Sequence, residues 1–288
     1  MKNIQNFNIV ITFLSLWLAV FLNTVAESYL ACFFILTVGL LHGSNDIKII
    51  RTVLKNKKLS FYRTLTIYVS IVLLGILLFF FVPAVTLMLF VLVSGYHFGE
   101  QHFHDLPIKS KIIKTLLFTS YGCTIVFLLL YTNAVESIEI IHQITEIYIT
   151  KLILKISFFA SLGLFMLLFG FNYKKFKSPI RELFYLVVFF IVFKTASLLW
   201  AFAIYFVIWH SLPSVIHQIS YLSKEVNKTT ILNYLKSSFI YWFVSVVGLF
   251  ILLLFLVKEQ DLFYGVFFSF LAAITFPHIF VMTKIFKH

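Results

Sequence analysis

The chain has 288 residues and is short of charge, of acidic groups and of cysteine, and each shortage excludes something. Only 12% of the residues are charged against 61% hydrophobic, with a mean hydropathy of +1.01. No soluble domain carries that balance, so the chain reads as a polytopic helical membrane protein. The two cysteines, Cys32 and Cys123, both lie in apolar runs. They are too few and too deep for a disulfide framework or a thiolate metal site. With eleven acidic residues, few intramembrane carboxylate pairs are left to line a transporter's polar path. Dense His-x-x-His-His boxes are absent, which argues against a di-iron desaturase. His-Glu-x-x-His is absent too, which argues against a zinc protease.

What is abundant is phenylalanine, 37 residues, so any internal cavity will be apolar and aromatic-lined. The net charge of +12 does not call for nucleic acid, because basic residues collect in the cytoplasmic loops of membrane proteins. Lys2, an apolar run and then Thr24-Val25-Ala26 loosely resemble a cleaved signal. A second apolar run follows almost at once, however, and the pair makes a good helical hairpin.

Apolar runs of spanning length fall at 7–24, 28–44, 64–82, 84–103, 113–131, 152–171, 180–195, 197–221, 239–257 and 262–283, at about 20 residues per span. If residue 1 is cytoplasmic, all but Lys151, Lys155, Lys194 and Lys258 of the 23 basic residues fall inside. The outside then carries Glu136, Glu139, Glu146, Glu259 and Asp261. The expected fold is therefore all-α: a transmembrane bundle of about ten helices, eight being the other count, with both termini cytoplasmic. Residues 1–288 would form one integral-membrane domain in the cell inner membrane. The stretch 138–149 is amphipathic and is expected at the interface, His142 with it.

Ionisable groups at membrane depth mark functional sites by default, and four stretches carry them. HGSND at 42–46 puts His42 and Asp46 four residues apart. Either the helix continues and they share a face, or the helix ends with Gly43 as its cap and Asp46 in water. YHFGEQHFHD at 96–105 brings His97 and Glu100 onto one face, while His104 and Asp105 read as interfacial. In WHSLPSVIH, His210 and His217 are two turns apart, about 10.5 Å along the axis, too far for one metal unless Pro213 bends the helix. FPH at 276–278 adds His278. In the ten-span topology His42, His97, His210 and His278 lie on helices of the same direction, in the cytoplasmic half of the membrane.

His42-Gly43-Ser44-Asn45-Asp46, His97-Phe98-Gly99, Tyr205-Phe206 with His210-Ser211, and Pro277-His278, in this order, resemble the Brp/Blh family of bacterial membrane β-carotene 15,15'-dioxygenases. The likeness runs from the second apolar run to the tenth. It implies cleavage of the central double bond of β-carotene with O2 to give two molecules of all-trans-retinal. It also implies Fe(2+) held by four histidines, three of which match His42, His97 and His210. The fourth family ligand falls at position 214, where this chain has Ser214. His102, which stands where the family has Asp, is the first expected replacement, and His217 is the alternative. Asp46, Glu100, Tyr205, Ser214 and His278 would steady the ligands or line the pocket. The lipid bilayer would deliver the carotenoid, and a microbial rhodopsin is a candidate recipient of the retinal. The competing class is a membrane accessory or transport protein for a carotenoid- or retinal-binding partner, without catalysis.

Overall fold

In the computed structural model, residues 2–53, 60–256 and 263–286 are described, and every regular element among them is a helix. In chain order these are α1 (Lys2–Phe21), α2 (Thr24–Phe34), α3 (Asp46–Val53), α4 (Phe61–Phe81), α5 (Pro83–Phe103), α6 (Lys111–Thr132), α7 (Ala134–Thr145), α8 (Lys151–Phe171), α9 (Pro179–Thr195), α10 (Leu198–Ala203), α11 (Leu212–Ser223), α12 (Lys228–Leu256) and α13 (Phe263–Ile285). Two π-helical segments interrupt this list. Ile35–Gly39 prolongs α2, and Ile204–Ser211 joins α10 to α11 into one rod, Leu198–Ser223. Among the described residues, six helices are long and apolar enough to cross a membrane: α4, α6, α8, that rod, α12 and α13.

Each of the ten apolar runs coincides with a helix, α12 starting eleven residues before the expected 239. Local chemistry sets the starts. Side chains of Asn23, Ser60, Ser110 and Thr150 accept backbone N–H groups at the first turns of α2, α4, α6 and α8. Pro83 and Pro179 begin α5 and α9, where no N–H is needed. Lys55, Lys57, Lys58, Lys258, Glu259, Asp261 and Lys287 lie outside the described residues.

Two contacts position the centre of the molecule. α5 and α6 cross with backbones touching. A Cβ on Gly99 would lie 2.0 Å from the Phe118 carbonyl oxygen, and one on Gly122 1.9 Å from that of Gly95. Only glycine fits, the small-x-x-x-small device of membrane helix pairs. α13 runs through the middle, packed by α3, α4, α5, α7 and α12. Gly75 of α4 sits against its backbone at Ala273, just before the bend-prone Pro277.

The amphipathic stretch 138–149 begins in α7, which packs on α5, α6, α8 and α13 and turns Ser137, Ile140, Ile141 and Ile144 into a cavity. An amphipathic helix serves as well to close a protein cavity as to float on lipid, and periodicity does not separate the two. His142 stacks on Tyr148 at 3.6 Å between ring centroids.

Candidate metal centre

Four histidines from four separated segments meet in the interior. His42 follows the π segment of α2, His97 is on α5, His210 lies in the second π segment, and His278 follows Pro277 on α13. All four are buried. Ring centroids are 4.9 Å apart for His42 and His210, 4.6 Å for His42 and His278, 5.0 Å for His97 and His210, and 5.3 Å for His97 and His278. One ring nitrogen from each of His42, His210 and His278 lies within 4.8 Å of the others. Two metal–nitrogen bonds of about 2.0–2.1 Å span nearly that distance.

The two π segments explain why the rings converge. They pack on each other, with Gly39 so close to Phe206 that a Cβ there would stand 2.8 Å from its ring. Pro213 has no N–H, and its ring crowds the carbonyl four residues earlier. The turn before it is wound as π, a bulge that re-aims His210. The His210 carbonyl accepts from Gln101 Nε2 at 2.7 Å. The His42 carbonyl accepts from Gln218 Nε2 at 2.7 Å, and Gln218 is held in turn by the Tyr234 hydroxyl at 2.8 Å.

Hydrogen bonds also leave nitrogens free. His42 Nδ1 bonds the Gly39 carbonyl. His278 Nδ1 faces both oxygens of Asp46 at 3.0 Å, and Asp46 accepts a further bond from the Tyr68 hydroxyl at 2.9 Å. His278 Nε2 and both nitrogens of His97 have no partner among the described residues. A buried polar atom left unpaired costs about 1–3 kcal/mol, so several such nitrogens around one point suit a cation. An all-imidazole set fits iron, copper or zinc and does not fit magnesium or calcium. The residues present therefore fit a metal ion, with His42, His210 and His278 able to hold it and the His97 ring beside them.

Not all the expected residues come to this point. His102 does not: its Nε2 bonds Glu182 at 2.7 Å and its ring stacks on Tyr121 at 5.0 Å. Five residues at 3.6 per turn rotate it about 140° from His97. His217 lies instead beside His104 and Phe286, at 5.5 and 5.2 Å. Ser214 is fully buried and accepts from Gln218 at 3.1 Å. Glu100 meets no histidine; it accepts from Tyr96 at 2.6 Å and Thr283 at 2.9 Å. Tyr205 lines the cavity against Phe98 and Phe189. For 42–46 neither sequence reading holds whole. The chain turns at 42–45, yet Asp46 is buried at the start of α3 and bonds His278 rather than water or His42.

Sequence reasoning passed over Gln101, Gln218 and Tyr68. The two glutamines are polar groups at membrane depth and could have been found as such; a tyrosine in α4 carries no such signal. The pair Gly95 and Gly99 was likewise legible as a G-x-x-x-G spacing.

The histidines sit at one end of an apolar chamber. A stripe on α5 from Leu87 through Phe90, Val91 and Ser94 to His97 forms one wall, and α6, α7, α10 and α13 form the others. Ten residues of helix give that wall about 15 Å.

No curated protein and no solved structure matches the chain. Residues 33–286 match the family model described as beta-carotene 15,15'-dioxygenase. Buried histidines at the end of a long apolar chamber agree with that description, and the chain belongs to the beta-carotene 15,15'-dioxygenase family.

Proposed function

We propose that this protein is an Fe(2+)-dependent dioxygenase that breaks the central double bond of β-carotene, each carbon taking one atom of O2, to give two molecules of all-trans-retinal. The observation that carries the reading is the group of His42, His210 and His278, with the His97 ring beside it, lining the apolar chamber in a chain of this family. His42, His97, His210 and His278 are the metal ligands in this reading. His278 takes the role expected of His102 or His217, because its free Nε2 faces the cluster.

Bound Fe(2+) would supply the reactivity toward dioxygen; the chain's own groups do the rest. Asp46 and the Gly39 carbonyl hold the Nδ1 atoms of His278 and His42 and so fix both rings. Phe98, Phe206 and Tyr205 keep water from the cluster. The chamber holds one arm of the polyene, and its depth decides which double bond lies beside the histidines. No group is needed to move a proton.

We further infer one integral-membrane domain of about ten spans in the inner membrane, with both termini cytoplasmic. The apolar helices and the distribution of basic residues support this.

The test is expression in bacteria engineered to make β-carotene. Loss of colour with accumulation of retinal is expected. Unchanged carotenoid, with folded protein present in the membrane, would reject the reading.

A further inference from the structure

The chamber encloses about 150 Å³, whereas sites for sizeable ligands run to roughly 300–1,000 Å³. It is too small for a whole carotenoid. A second cavity, of about 600 Å³, adjoins it and shares His42, Phe206, Leu271, Thr275 and His278 with its walls. It lies between α4 and α12, which both pack on α13 and leave a cleft over it. The rim is apolar and faces outward: Leu73 is 55% exposed, Ile240 58% and Val244 61%. In a membrane these residues meet acyl chains.

We propose that the cleft between α4 and α12 is the door through which a carotenoid dissolved in the bilayer reaches the histidines, and the place where its second arm rests. The proposal depends on the dioxygenase reading and adds the route. The occupant is a long apolar polyene for three reasons. The cleft is mainly apolar, its outward rim of Leu73, Ile240 and Val244 lies where such molecules dissolve, and its polar end is formed by His42 and His278 with Asp46 and Tyr68. A polar substrate would have to cross lipid to reach the same opening.

Gly248 gives a clean test. It lines the cleft, and a Cβ built on it meets nothing within 4 Å, so a large side chain there fills the cleft without disturbing the packing. Gly163 on α8 is equally open and does not line the cleft. Cleavage is measured in vesicles over a range of β-carotene content, with metal content in parallel. Gly248→Trp and Val244→Trp should cut the rate at low carotenoid by about tenfold or more with metal content unchanged, while Gly163→Trp follows the unaltered protein. Gly248→Cys guards against misfolding. Its rate before labelling is the reference, and that rate should fall once a bulky maleimide is attached; the unaltered protein given the same reagent accounts for Cys32 and Cys123.

If filled and labelled variants cleave like the unaltered protein, the door is refuted and the dioxygenase reading stands. If the unaltered protein makes no retinal, both fall.

Discussion

At the scale of single residues, the centre depends on which histidine nitrogens are left without partners. His278→Ala should lose metal as fully as His42→Ala, His97→Ala or His210→Ala, whereas His102→Ala should keep it, measured by metal analysis of purified protein. Loss of metal from the His102 variant alone would restore that residue as a ligand. Asp46 faces the far nitrogen of His278, so Asp46→Asn should weaken metal affinity by about 10–100-fold. Tyr68→Phe, which removes one of that carboxylate's supports, should do less. Ser214 is fully enclosed and tied to Gln218. An imidazole there would overpack the core at a cost of about 1–3 kcal/mol and displace the glutamine that holds the His42 carbonyl. Ser214→His is therefore expected to melt earlier and gain no metal.

At the scale of elements, the histidines are aimed by how helices meet and where they unwind. His97 is positioned by the α5–α6 contact. Gly99→Ala or Gly122→Ala would push a methyl into a backbone carbonyl, a clash that a side-chain shift cannot relieve. Each should cost more than the ~1–3 kcal/mol of ordinary overpacking, and folded yield in the membrane should fall sharply. Gly163→Ala and Gly170→Ala, which meet nothing, should be neutral in the same assay. His210 depends on the rod Leu198–Ser223. Its start is held by two carboxylates, Glu27 accepting from the Ser197 N–H at 3.2 Å and Glu136 from the Leu198 N–H at 3.0 Å. Negative charge there suits the positive end of the helix dipole.

At the scale of the whole molecule, the bundle is arranged around α13, with the chamber on one side and the outward-facing apolar cleft on the other. The proposed orientation puts the histidines in the cytoplasmic half of the membrane. Reporter fusions after Lys177 and Lys228 should then read cytoplasmic, and a fusion near Glu139 external. A cytoplasmic signal at Glu139 would break the ten-span count. In the structure α7, which carries Glu139, bounds the chamber at the end away from the histidines.

The sequence by itself determined the helical character, the apolar runs long enough to cross a membrane and the approximate helix positions, and it named His42, His97 and His210 as candidate ligands. Hydropathy and the cost of burying an imidazole in lipid are properties of each segment alone, so they can be read one stretch at a time. Only the tertiary structure decided the rest. His102 and His278 both lie in apolar runs, and nothing local ranks one above the other. Rotation about α5 turns His102 to Glu182, while α13, crossing the centre, brings His278 to Asp46 and the cluster. The π segments and the glycine contact depend on which helices happen to meet. These are relations between residues far apart in the chain, and packing alone creates them.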